Sequence, residues 1–178
     1  MHVTDTAMVN KLRESNLNQN AVATYLSDHR GGAATAIQIV ERLIVQTDNP
    51  SFKHCLERLL EQIKNDIEVL EQIAKSYPTN TSWFKRFLGW FVGILSGVKF
   101  HKSIVGRFGE FEAVEFISLG ILGKRALWRI LKEFQFQEFK SLAIDLDCLI
   151  QSAQTQFDEV EAWRLTLGKN ALSEDITA

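Results

Sequence analysis

The sequence predicts an all-α protein, a four-helix bundle made of two antiparallel hairpins joined by a long crossover. Three observations carry this. Apolar residues recur at three- and four-residue spacing through four segments, about 19–47, 51–76, 109–134 and 137–167, and no stretch alternates with period two for the length of a strand. Only two prolines occur in the 178 residues, Pro50 and Pro78, and both stand beside turn formers. The links "TDNP" and "EFQFQ" are short, which makes neighbours of the helices they join, whereas about thirty residues separate the second helix from the third. A hydrophobic content of 46% and a charged content of 24% suit one domain with a sizeable core. The expected domain spans 19–168 with its crossover at 77–108, after a polar segment 1–18 and before a flexible tail 169–178.

The first helix carries a stripe of Val22, Tyr25, Leu26, Ala33, Ala36, Ile37, Val40, Leu43 and Ile44. His29 falls near its middle, and Asp28 and Glu41 fall outside it. Gly31 and Gly32 stand in mid-helix, each costing about 1 kcal/mol against alanine. Gly32 borders the stripe, which suggests close approach of a bulky neighbour such as Trp128.

The second helix has a clear start, with Asn49 as N-cap and Pro50 at the first helical position. It buries Phe52, Leu56, Leu59, Leu60, Ile63, Ile67, Leu70 and Ala74. One carboxylate, Asp66, lies within that arc, while His54, Glu57 and Glu61 look outward.

The crossover holds the most apolar stretch, "SWFKRFLGWFVGILSGVKF". Its apolar run from Trp83 to Leu95 is too short to span a bilayer, which takes about 20 residues. Ser82 can cap a short hydrophobic helix carrying Trp83, Phe84, Phe87 and Trp90, with Gly89 and Gly93 as a G-x-x-x-G pair that permits close helix approach. The first reading packs this helix over the open side or end of the bundle. A homodimer surface comes second, since leftover apolar area is usually buried in a partner. Interfacial membrane binding over 83–102 comes third, disfavoured by the glycines and by the lack of a clean polar face.

The third helix has a wide apolar arc of Ala113, Phe116, Ile117, Gly120, Leu127, Trp128, Leu131 and Phe134, with Lys124 inside it and Glu112 on a flank. The fourth buries Phe139, Leu142, Leu146, Leu149, Ile150, Ala153, Phe157 and Val160. Gln156 borders that stripe, Arg164 continues it, and Asp145 is marginal.

A histidine, a carboxylate and a lysine thus intrude on stripes that must meet. A buried charge is costly unless paired, so the economical arrangement is a polar cluster of His29, Asp66 and Lys124, with Gln156 or Glu112 as further partners. The alternative has Lys124 snorkelling outward and His29 bonded to a backbone carbonyl.

The residues "YLSDH" with the following Gly32, "ALW" after "LGILGK", and "DLDCLIQSAQTQ" resemble an uncharacterised group of bacterial ferritin-like proteins, within the wider ferritin-like superfamily. The likeness spans about Tyr25 to Leu165 and implies the crossover four-helix fold, with no established activity for that group. Di-iron members of the superfamily take a Glu from each of two helices and an E-x-x-H from each of the others. Here the residues three before the histidines are Leu26, Ser51 and Val98, and His2 has none, so no family metal ligand carries over. A fixed ammonium at Lys124 also repels a divalent cation. The expectation is no cofactor and no standard metal centre, with a nonstandard site of His29 and Asp66 as the weaker alternative.

The formal charge is −2, yet Lys75, Lys85, Arg86, Lys99, Lys102 and Arg107 lie in a stretch between Glu71 and Glu110 without one acid, which leaves −8 on the remainder. Such a segment can face an anionic partner or the chain's own acidic helices. Nucleic acid is excluded, because no motif is present and the basic residues are dispersed among apolar ones. Cys55 and Cys148 make no framework or CxxC, and the start has no signal-peptide core, so a reducing cytoplasm and two free, buried thiols are expected. Neither cysteine has a predictable histidine partner, and no glycine-rich phosphate loop occurs. The residues favour a non-enzymatic binding or assembly module, a homodimer or the partner of another protein. The enzyme-class rival is a divergent metal-dependent or redox bundle around His29.

Overall fold

The computed structural model describes residues 18–77, 106–134 and 142–173. These form four helices: α1 (Gln19–Gln46), α2 (Pro50–Ala74), α3 (Arg107–Phe134) and α4 (Leu146–Leu172). No strand occurs among the described residues. The crossover from 78 to 105, with Trp83, Phe84, Phe87, Gly89, Trp90 and Gly93, lies outside them, as do the 1–17 segment and Phe139. No described helix is long and apolar enough to cross a membrane.

Each start has a local cause. Asn18 accepts a hydrogen bond from the Ala21 amide and opens α1. Asn49 accepts from the amides of Ser51 and Phe52, with Pro50 at the first position of α2, where its missing N–H costs nothing. Gly106 precedes α3 at φ +94°, a conformation that L side chains rarely adopt. Asp145 caps α4 by accepting from the Cys148 amide at 2.9 Å.

The helices pack as a bundle, α3 most extensively on α4, then α1 on α2, α1 on α3 and, more thinly, α2 on α4. Two apolar clusters fill the interior. One joins Ile39, Val40 and Leu43 of α1 to Phe52, Leu56, Leu59 and Ile63 of α2, Ala113 to Ile121 of α3, and Val160 of α4. The other joins Ala23 and Leu26 to Leu70, Ile73 and Tyr77, then to Leu127, Trp128 and Leu131, and to Leu146 and Ala153. Between the clusters, at the same level on three helices, stand Asp66, Lys124 and Gln156. Burying a large aliphatic or aromatic side chain contributes about 1.5–3 kcal/mol, so these two clusters hold the fold and frame the polar layer between them.

Several expectations need correction. The fourth helix begins at Leu146 and not near 137, because Asp145 caps it and Ala143, at φ 53°, cannot continue a right-handed helix from Leu142. Leu142 is accordingly exposed, as are Phe134 at the end of α3 and Tyr25. The helix runs on to Leu172, so the first residues assigned to a flexible tail are helical. Cys55 is buried as a free thiol, but Cys148 is exposed, facing out from the first turn of α4.

Candidate functional site

The middle layer contains a cavity of about 350 Å³ lined by α1, α2 and α3. Its wall is mostly apolar, with Ala33, Ala36, Ile63, Leu70, Phe116, Leu127 and Trp128, and its polar members are Asp28, His29, Asp66 and Lys124. The opening follows from small residues. Gly32, Gly120 and Gly123 all line it, and a Cβ at any of the three would meet nothing within 4 Å among the described residues. The expected close approach of Trp128 to Gly32 is therefore not found. The two residues face a shared space and do not touch through the missing side chain.

Lys124 anchors one side of this layer. Its Nζ donates to Asp66 Oδ2 at 2.5 Å and also to Gln156 Oε1. The pair is largely sequestered, with 15% and 11% of the two side chains exposed. Gln156 in turn donates from Nε2 to Ser152 Oγ at 3.2 Å, which fixes its amide. Lys124 thus links α3 to α2 and α4 at once. Burial pulls the Lys124 ammonium below its ordinary range, and the Asp66 carboxylate opposes that by favouring the charged form.

His29 shares the cavity wall but joins no hydrogen bond among the described residues. Its ring meets Tyr25 edge-to-face, with centroids 4.7 Å apart. Burial lowers its pKa from 6.5, so the imidazole is neutral at physiological pH. Glu112 is not brought to the cluster at all. It lies on the same helix as Lys124, twelve positions earlier, hence about 18 Å away along the axis.

Asp28 is the residue that sequence reasoning missed. Helical periodicity put it outside the apolar stripe, yet it lines the cavity four positions before Gly32, on the same face. Its Oδ1 is buried with no hydrogen-bond partner, and burial pushes the carboxyl pKa up to about 6. The i, i+4 spacing to a mid-helix glycine was the available signal. A second orphan is the Nε1 of Trp128, a residue only 1% exposed. Unpaired buried polar atoms are rare and costly, and both of these belong to side chains of one cavity wall.

Chemically, the layer offers an apolar recess with one engaged cation, one carboxylate lacking a partner, one neutral imidazole and one free indole N–H. Among the described residues no three His, Cys, Asp or Glu side chains come together as metal ligands. The Oδ2 of Asp66, half of the alternative metal pair, is already held by the Lys124 ammonium. Set against protein-family models, curated proteins and solved structures, the chain matches none of them.

Proposed function

We propose that this chain is a ferritin-like four-helix bundle acting as a non-enzymatic binding module, with the cavity between α1, α2 and α3 as the site for a small, mainly apolar molecule. The observation that carries the reading is the set of three helix glycines around one recess. Glycine in a helix interior costs about 1 kcal/mol against alanine, and alanine at Gly32, Gly120 or Gly123 would find open room. A packing requirement does not account for them, whereas a need for volume does. A recess of about 350 Å³ falls in the range of small-ligand sites.

The antiparallel pairing of the first hairpin is supported by its ion pairs, Arg30 with Glu71 and Lys64 with Glu41, which run in opposite directions along α1 and α2. The exposed free thiol of Cys148 favours a reducing, cytoplasmic setting. In place of iron ligands, the middle layer carries the Lys124–Asp66 pair.

Titration with N-phenyl-1-naphthylamine, a neutral apolar fluorophore, tests the proposal. The expected result is saturable uptake by the full chain and its loss in Gly120→Leu, whose side chain fills the recess. Equal uptake by both proteins, or none by either, would refute a cavity site.

A homodimer is a second reading, favoured by the apolar residues left exposed at one end of the bundle. Phe108, Leu165 and Leu172 are each more than half exposed or close to it. A monomeric mass by light scattering at high concentration would remove it.

A further inference from the structure

We infer that the cavity takes an apolar molecule carrying one protonated amine, with the Asp28 carboxylate as its counter-ion. This rests on the binding role proposed above and adds the charge of the ligand. On α3, Lys124 is already committed to Asp66 of α2 and Gln156 of α4. On α1, Arg30 pairs with Glu71 of α2 at 3.1 Å, and His29 is held neutral by burial. Among the described residues, the positive charge near the site is therefore already paired. Asp28 Oδ1 is buried and accepts no hydrogen bond among the described residues.

An unpaired carboxylate in a low-dielectric wall attracts a cation more strongly than it would in water. An anionic ligand would meet both Asp28 and Asp66, with no unengaged cation among the described residues of the wall to receive it. A neutral donor could bond Oδ1 but would leave the charge of the carboxylate unbalanced. The indole of Trp128, in the same wall, adds to the preference, since aromatic faces attract cations. Titration of the site follows from Asp28. Its carboxyl is pushed up to about 6 by burial, so it is ionised above that pH and neutral below it. The other titratable groups of the wall are His29, Asp66 and Lys124.

Isothermal titration of the full chain with three compounds of one shape tests this: 2-(1-naphthyl)ethylamine, the corresponding alcohol 2-(1-naphthyl)ethanol, and 1-naphthylacetate. At pH 7.5 the amine is expected to bind at least tenfold tighter than the alcohol, and the carboxylate not measurably. Lowering the pH to 5 should weaken the amine about tenfold, because only about a tenth of Asp28 stays ionised one unit below its pKa. In Asp28→Asn the amine-to-alcohol ratio should fall to about one, with helical content by circular dichroism unchanged. Saturable binding of the alcohol with no preference for the amine would overturn the charge inference while leaving the cavity role standing. Failure of both to bind would overturn the cavity role and this inference with it.

Discussion

Two seams of the bundle use the same residue in opposite ways. Where α3 meets α4, Gly168 admits the ring of Phe111 so closely that a Cβ would stand 2.9 Å from Phe111 Cε2. Where α1 meets α3, Gly32, Gly120 and Gly123 hold space open, since among the described residues a Cβ there would find no atom within 4 Å. The first seam is the most extensively packed in the molecule, and the second borders the cavity. A glycine read from sequence has no sign. It marks either a contact too tight for a methyl group or a space kept free of one, and only the neighbouring helix decides which.

The comparison can be broken most severely at the strut that crosses the open side. Lys124→Met leaves the Asp66 carboxylate buried without its cation and Gln156 Oε1 without its donor. The expected loss is about 3–5 kcal/mol in urea denaturation. Lys124→Met combined with Asp66→Leu should recover most of it, because an apolar pair needs no compensation. A single-variant loss below about 1 kcal/mol would mean that the pair contributes little.

Next in size is the tight seam. Gly168→Val drives a branched side chain into the Phe111 ring and should cost about 1–3 kcal/mol, with partial rescue by Phe111→Leu. An unchanged denaturation midpoint would show that the ring gives way freely.

The open seam should respond with the opposite sign. Gly32→Ala and Gly123→Ala each restore helix propensity without a clash and should stabilise by about 1 kcal/mol. In a chain of this size that is a rise in Tm of about 2–4 °C. A fall in Tm for either would mean that the backbone at that position needs its glycine for a reason other than space.

The difference between the two seams also shows in the pH dependence of stability. The carboxyl of Asp28 titrates at about 6 when folded, against an ordinary 3.8. Between those values the folded chain retains a proton that the unfolded chain has released, so stability declines as pH rises through the window. The full penalty is present above about 6. Asp28→Asn should therefore stabilise the protein at pH 7.5 and have a vanishing effect as pH falls to 3.8 and below. His29 acts in the other direction. Its lowered pKa makes folding less favourable as pH drops below 6.5, because the unfolded chain then takes up a proton that the buried ring refuses. A wild-type stability profile read without these variants would mix the two.

Much of this frame was legible in the residues. Asn49 and Pro50 announce α2 because a side-chain acceptor followed by a residue without an N–H fits only a helix start. Asp66 and Lys124 stood out because a charge at 3.6-residue phase with leucines must find a partner, and they found each other. What failed did so for definite reasons. Glu112 was grouped with Lys124 by angle around the helix, with its distance along the axis left out. The start of α4 was placed too early because "FKSLAIDL" continues the apolar period, and periodicity does not register a capping aspartate or the left-handed φ of Ala143. Asp28 falls outside the apolar stripe of α1, since a wheel drawn for one helix does not know where its neighbours leave room.

The unfilled volume beside Gly32, Gly120 and Gly123 has a mechanical consequence. Squeezing a protein favours whichever of its states occupies less total volume, and unfolding gives up space that side chains fail to fill in the native bundle. High-pressure spectroscopy should therefore unfold this molecule more readily than a bundle of equal thermal stability packed without such a recess. Tightening that recess one methyl group at a time should make the fold progressively stiffer to compression.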